Sequence, residues 1–372
     1  NEIKFEDCFN LPNPGLRSYF DIVQKGQPEE YRTTFAQGQS VQSVLSDWST
    51  TLETISDEWP SLVEFENDLK AKVGPMSIMK PLSERIVDID HYYDDISLSS
   101  TPVSDKALKA VLSEFSAVRG LHPRGQQKTV DLMKKSTNSG APYFTKRKTV
   151  VSKTVPCESQ RHDEINTLMV LNGGRSIWDA AAVLGWRGQE GGPKPDDVKQ
   201  RVVWMFPFSV NINELQVYQP LIESCQNFGL VPAWVSMESV DQRITRMFDT
   251  KGSDDVVICT DFSKFDQHFG ADMQDAARYI LSGLLDSTEE SQNWIRSVFP
   301  IKYDIPLAYD YGKIRVGKHG MGSGSGGTNA DETLVHRALQ YEAALAKSTK
   351  LNPNSQCLGD DGVLTYPGIT VE

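Results

Sequence analysis

An α+β fold, with a small antiparallel sheet backed by helices, is predicted by three features of the chain beyond residue 250. The run Asp254 to Asp261 contains a β-branched stretch, Val256 to Thr260, that suits a buried central strand and delivers Asp261 to its end. Cys357-Leu358-Gly359-Asp360-Asp361-Gly362-Val363-Leu364 sets apolar residues on either side of a glycine-bounded turn, as two short paired strands require. Helical periodicity over Ala271 to Leu285 and over Asp331 to Ala346 supplies the backing layer, the second with Leu334, Val335, Ala338, Leu339 and Ala343 inward. A hairpin pattern over 301–318, around Asp310-Tyr311-Gly312, places Lys313, Arg315 and Lys318 on its second arm. Gly320 to Thr328 is too glycine-rich for helix or strand and reads as a loop.

The earlier part of the chain is mixed. Residues 1–100, with Pro12, Pro14 and Pro28, read as long connections with short helices, and Glu53, Asp57, Glu58, Glu64, Glu66 and Asp68 as a solvated face. A helix follows Ser104, which can cap it, with Leu108, Val111, Leu112, Phe115 and Val118 on one side and Gly120 as terminator. Residues 158–172 read as a helix ending at Gly173-Gly174, and 187–197 as a mobile, glycine- and proline-rich surface loop. Lys199 to Pro207 reads as a strand, with Lys199 and Arg201 alternating onto one face. Ile212 to Phe228 reads as a helix in which Pro220 marks a kink or the first turn.

With 372 residues and 39% hydrophobic content, the chain can bury cores for two or three domains or subdomains. No apolar run reaches bilayer length, and Asn1 to Glu6 has no cationic flank leading into an apolar core, so neither secretion nor membrane insertion is indicated. The five cysteines have no close pair, which fits reduced thiols in an intracellular protein; Cys259 and Cys357 fall in strands where small buried residues are expected. A net charge of -12 argues against a surface that coats nucleic acid and leaves room only for a local cationic channel. Lys134 to Lys153 is the candidate: Lys134, Lys135, Lys146, Arg147, Lys148 and Lys153 with no acid among them.

Asp360 and Asp361 are adjacent like charges, which repel unless they face water or meet a cation. Taken alone, such a turn is ordinary hairpin chemistry. A second carboxylate strand, ending in Asp261 and followed by Asp266, changes that reading. Asp-x4-Asp, then Ser-Gly-x3-Thr, then Gly-Asp-Asp, in that order, resembles motifs A, B and C in the palm of viral RNA-dependent RNA polymerases. The strings DFSKFDQHFG and RVVWMFP are most similar to the polymerases of picobirnaviruses, small double-stranded RNA viruses.

The resemblance implies a right-hand polymerase with fingers and palm. Residues 1–100 would be an N-terminal extension and connections. Residues 101–250 would be mainly fingers, with motifs G and F and part of the palm, and 251–372 the palm, with 301–318 at its border. Motifs D and E and the thumb have no counterpart. The implied activity is copying and transcribing a viral double-stranded RNA genome by two-metal nucleotidyl transfer. Asp261, Asp360 and Asp361 would be catalytic and hold Mg²⁺, for which Mn²⁺ can substitute. Asp266 would sense the ribose 2′-hydroxyl, while Ser323, Gly324 and Thr328 contact template and ribose.

Many relatives carry Asn four residues after the motif B Thr, where this chain has Glu332. That leaves the partner of Asp266 open, and Asn329 is the nearby amide named for it. Lys199 and Arg201 resemble motif F, which grips the incoming triphosphate. Ser139 and Gly140 resemble motif G, and Lys146, Arg147 and Lys148 would face RNA. Implied partners are template and nascent RNA, ribonucleoside triphosphates and a viral capsid protein, with no membrane; the implied location is the virion interior and host cytoplasm. A reverse transcriptase would carry Tyr-x-Asp-Asp at the turn and a bulky residue at 266, and a non-catalytic RNA-binding fragment has no reason to set acids on two strand ends. A P-loop nucleotidase is excluded because the glycine loop lacks the following Gly-Lys-Ser/Thr.

Overall fold

The computed structural model describes residues 14–26, 38–71, 79–94, 96, 100–160, 168–171, 175–177, 181–189, 194–310 and 313–372. Pro12, Pro28, the first six residues and the turn Tyr311-Gly312 lie outside them. The strands, in chain order, are β1 Glu158–Gln160, β2 Leu168–Leu171, β3 Arg175–Ile177, β4 Ala182–Gln189, β5 Lys199–Met205, β6 Ile258–Asp261, β7 Leu307–Asp310, β8 Lys313–Arg315, β9 Gln356–Leu358 and β10 Asp361–Leu364. Small sheets among many helices make the chain α+β, as its patterning predicts.

The chain divides into two compact units. The smaller comprises the described residues of Pro12–Ile89 together with Leu184–Val203. Its helices are short: Pro14–Lys25, Val41–Glu53, Pro60–Lys70 and the start of Leu82–Asp94. Ser40 caps the second by accepting from the Ser43 N–H. Glu53, Asp57, Glu58, Glu64 and Asp68 are exposed, as a solvated face requires. Along β5, Lys199 and Arg201 are both exposed while Gln200 between them is half-buried and accepts from the Lys80 N–H at 3.2 Å. The predicted loop 187–197 begins instead inside β4 and ends in a 3-10 turn, Pro195–Asp197, with 190–193 outside the described residues.

The larger unit, Asp90–Val183 and Trp204–Glu372, holds the candidate site. Ser104 does cap the helix Asp105–Glu114, accepting from the Ala107 N–H, and Leu108, Val111 and Phe115 are buried. That helix and Ala271–Leu284 pack on Thr328–Ala346, around Leu334, Val335, Ala338, Ala277 and Ile280. The helix over Pro220 runs from Phe208 to Asn227 without breaking. Proline there has no N–H for the Gln216 carbonyl, and the Arg124 N–H takes that carbonyl at 2.7 Å.

Three readings are corrected. Residues 158–172 do not form a helix: β2 pairs antiparallel with β1 and β3, and 161–167 lie outside the described residues. A short apolar run such as Leu168 to Leu171 has no period of its own, so partners decide its state. Residues 301–304 are a helical turn, and only β7 and β8 form the predicted hairpin. Among the described residues the strand ending at Asp261 pairs with β10 alone, in the sheet order β6-β10-β9; Val256 is exposed, and so is Cys259 where a buried residue was expected, whereas Cys357 is buried.

Candidate active site

The palm sheet brings the two acidic motifs face to face. In the antiparallel register of β10 on β6, Asp361 lies directly opposite Asp261 and Val363 opposite Cys259. Leu358 also pairs with Asp361, so the connection between β9 and β10 is the two-residue turn Gly359-Asp360. Gly359 has φ +56° while Asp360 does not share a positive φ, the pattern of a type II′ turn with glycine first. Asp360 is therefore the turn residue and Asp361 the first residue of a strand. Oxygens of Asp261, Asp360 and Asp361 lie within 4.8 Å of one another. Partial burial, and then the negative charges of Asp360 and Asp261, raise the Asp361 carboxyl above its ordinary range. Three hard oxygen donors with uncompensated charge fit a divalent cation.

The turn is held from below by the helix Thr328–Ala346. Thr333 Oγ1 accepts from the Gly359 N–H at 2.9 Å, and His336 Nδ1 donates to the Gly359 carbonyl at 2.8 Å. The two residues are one helical turn apart and hold the two peptide groups that flank the Gly359 Cα from one helix face. A Cβ at Gly362 would lie 2.7 Å from His336 Nε2, so only glycine fits where β10 crosses this histidine. Burial lowers the His336 pKa, so the fold favours the neutral ring. Since the unfolded chain binds that proton first, stability is complete above about pH 6.5 and falls below it, by up to about 1.4 kcal/mol per pH unit. His336→Asn, whose amide can still donate to Gly359, should lose this sensitivity. Denaturant unfolding at pH 7.5 and 5.5 measures the difference, and parallel pH slopes for both proteins would refute it.

The glycine loop is built on buried contacts. A Cβ on Gly324 would sit 1.6 Å from the Trp204 carbonyl, and Ser323 Oγ accepts from the Trp204 N–H at 3.3 Å. Thr328 opens the following helix and donates from its hydroxyl to the Gly322 and Ser325 carbonyls. Glu214, fully buried, accepts from the Gly326 N–H at 3.1 Å, from Asn211 Nδ2 at 3.1 Å and from the Ser325 hydroxyl. Burial raises its pKa, against the pull of Lys302 and these donors. Beneath lies the ion pair of Lys302 and Asp331 at 2.9 Å, both wholly buried. Asp331 also accepts from the hydroxyls of Tyr218 and Tyr303, each at 2.7 Å, and Lys302 donates to the Phe299 carbonyl at 2.8 Å. Gly322 N–H donates to the Lys302 carbonyl, so this network and the loop share one backbone.

Asp266 lies on the short helix Phe265–His268, and its carbonyl accepts from the Met321 N–H at 2.8 Å, tying motif A to the glycine loop. Its side chain is hydrogen-bonded to Glu332, not to Asn329. Asn329 is exposed, and its Oδ1 instead accepts from Trp234 Nε1 at 2.7 Å. One helical turn separates Thr328 from Glu332, which turns Glu332 toward Asp266.

The cationic segment is only partly free. Lys134, Lys146 and Lys148 are exposed, but Lys135 donates to the carbonyls of Val130, Asp131 and Met133 at the end of the helix Gln126–Leu132. Arg147 turns inward: it donates to Asn211 Oδ1 at 2.7 Å and lies over the Phe208 ring, and burial lowers its pKa. Ser139 and Gly140 are buried as well. The Ser139 carbonyl accepts from the Phe208 N–H at 2.8 Å, and a Cβ on Gly140 would lie 2.5 Å from the Phe206 carbonyl. The backbone that passes close to this small-residue loop is the chain's own, so Ser139, Gly140 and Arg147 each have partners within the chain.

Several residues of the site carry no motif in the sequence: Glu214, Lys302, Asp331, Thr333 and His336. The available signal is the polar stripe Glu332, Thr333, His336, Arg337 and Gln340 on a helix whose other face is apolar. All five are buried, so the helix is enclosed on both sides.

Sheet, turn, glycine loop and acidic triad together define a polymerase palm. A family model described as viral RNA-dependent RNA polymerase matches residues 76–367, and the chain belongs to that family. It is 64% identical over 364 residues to a potential RNA-dependent RNA polymerase of human picobirnavirus (strain Human/Thailand/Hy005102/-), covering 98% of this chain and 67% of the relative. A crystal structure of the insertion loop deletion mutant of a human picobirnavirus RNA-dependent RNA polymerase superposes with TM-score 0.90 at 62% identity, over all of this chain and 73% of that one. The Sicinivirus 3Dpol RNA-dependent RNA polymerase, at 13% identity and TM-score 0.53 over 75% of this chain and 61% of that one, shares the fold alone. The chain is thus a viral RNA-directed RNA polymerase sequence, and the reverse-transcriptase and non-catalytic readings are set aside.

Proposed function

We propose that the enzyme joins ribonucleoside triphosphates to the 3′-hydroxyl of a growing RNA by two-metal catalysis, with Mg²⁺ held by Asp261, Asp360 and Asp361. The observation that carries this reading is the pairing of Asp261 with Asp361 in register and the approach of Asp360 from the adjoining turn, three carboxylates within 4.8 Å. Bound there, the ions would activate the 3′-hydroxyl and neutralise the charge that develops on the leaving pyrophosphate. Asp261 offers oxygens from the end of β6 and Asp360 from the turn between β9 and β10, and Asp361 is an auxiliary ligand. Asp266 accepts from the ribose 2′-hydroxyl, the loop from Ser323 to Asn329 meets template and ribose, and Lys199 and Arg201 receive the triphosphate. The likeness to human picobirnavirus supports a double-stranded RNA genome as the template that is copied and transcribed. By the same likeness we place the work inside the virion and in the host cytoplasm, beside a capsid protein.

Template-directed incorporation on RNA tests the reading. Activity should vanish when EDTA removes divalent ions and return with Mg²⁺ or Mn²⁺; incorporation that survives chelation would overturn it. The RNA path has its own test. Lys146→Ala with Lys148→Ala should reduce the salt dependence of RNA binding by up to about one unit of log-log slope per lost phosphate contact, whereas Arg147→Ala should mainly cost stability. If the lysine variant keeps the full slope in fluorescence anisotropy, these two cations only solvate the surface.

A further inference from the structure

Beside the catalytic turn one amide is held by its oxygen and left open at its nitrogen. Asn329, the second residue of the helix Thr328–Ala346, is exposed. Its Oδ1 accepts from Trp234 Nε1 at 2.7 Å and from the Thr333 hydroxyl at 3.5 Å. An indole N–H can only donate, so the oxygen of this amide must face Trp234 and its NH₂ group must point away. Nδ2 has no partner among the described residues and lies 3.7 Å from where a Cβ on Gly359 would stand. A free donor is thereby placed over the first residue of the Gly359-Asp360 turn. Trp234 is itself anchored: it lies on the helical turn Pro232–Val235, packs half-buried on the main hydrophobic core, and its carbonyl accepts from Gln226 Nε2 at 2.8 Å. The same helical turn borders β9, the strand that leads into Gly359.

We propose that Trp234 is a positioning residue for nucleotide transfer: it fixes the Asn329 amide so that Nδ2 donates to an oxygen of the 3′-terminal nucleotide of the growing RNA. The inference rests on the reading of Asp261, Asp360 and Asp361 as the metal centre where the 3′-hydroxyl reacts, and adds a contact that aligns that end. A nucleotide whose 3′-hydroxyl reaches an ion on Asp360 passes close to Gly359, and its phosphate and ribose oxygens are acceptors. An amide suits this place because it carries no charge. A lysine or arginine there would pair with Asp360 or Asp361 and compete with the metal for their oxygens. A donor already held in place needs no ordering when the RNA arrives, and rate falls steeply when a reacting atom is misplaced.

Single-turnover extension of a preformed polymerase–RNA complex, over a range of ATP concentrations, tests this with Trp234→Phe, Asn329→Ala and the double variant. Each single variant should lower the maximal extension rate about three- to tenfold, the range for one neutral hydrogen bond, while the ATP concentration for half-maximal rate stays within about twofold. The double variant should be no slower than Asn329→Ala, since Trp234 acts through Asn329. The amplitude of extension counts folded enzyme, so a variant that merely folds poorly loses amplitude and keeps its rate. Where Trp234→Phe folds poorly, benzothienylalanine at position 234 keeps the bicyclic shape without the N–H and takes its place. A rate within about twofold of the parent for either single variant, or losses that multiply in the double variant, would overturn the proposal. A raised half-maximal ATP concentration at full maximal rate would assign Asn329 to the incoming nucleotide and overturn it too. Asp360→Asn, run alongside, keeps the two readings apart: if it extends normally the metal-centre reading fails, and if it alone is inactive only the alignment role fails.

Discussion

Asp360→Asn is expected to lower nucleotide incorporation by about a thousandfold or more while leaving the fold intact. The substitution changes no volume and removes one charge from a triad whose members repel one another, so thermal unfolding should be unchanged or slightly raised. The loss follows from weakened metal binding: charge stabilisation by a bound metal is worth several kcal/mol, and each 1.4 kcal/mol or so is tenfold in rate. Asp254→Asn, an exposed acid before β6 and outside the triad, is the control and should keep its activity. Near-normal incorporation by Asp360→Asn, with unaltered Mg²⁺ dependence, would remove Asp360 from the metal centre.

The largest loss of stability should come from below the glycine loop. Lys302→Met leaves Asp331 as an uncompensated buried charge among Tyr218 and Tyr303, and breaking one side of such a pair costs about 3–5 kcal/mol. Adding Asp331→Leu should recover part of that loss, because the double variant removes both charges of the pair, while Glu214 still loses the pull of Lys302. Urea unfolding of the three proteins decides it. A single variant within about 1 kcal/mol of the parent would mean that the Lys302 and Asp331 charges contribute little net stability.

The acidic centre was legible because its chemistry is local in sequence: Asp261 must end a strand and Asp360 must occupy a turn. Pairing of β10 with β6 then sets Asp361 opposite Asp261, with Asp360 in the adjoining turn. The environment of each strand was less legible, because Val256 to Thr260 has the composition of a buried strand while Val256 and Cys259 are exposed. Segment 158–172 failed for a related reason, since its apolar run takes its state from the strands beside it. Charge and small size were visible at Arg147, Ser139 and Gly140, but not direction: Asn211 and Phe208 claim the arginine, and the 206–208 backbone claims the loop. Glu332 was visible as a departure from the pattern of many relatives. Its contact with Asp266 needed the helix to be placed against motif A.

The most direct measurement is anomalous diffraction from crystals of the polymerase grown with Mn²⁺, primer-template RNA and a non-hydrolysable ribonucleoside triphosphate. Two-metal catalysis on this palm predicts anomalous peaks between Asp261 and Asp360, with Asp361 at their edge and the triphosphate ligating the same ions. Peaks that sit elsewhere on the triphosphate, with Asp261 and Asp360 both outside ligand distance, would contradict it.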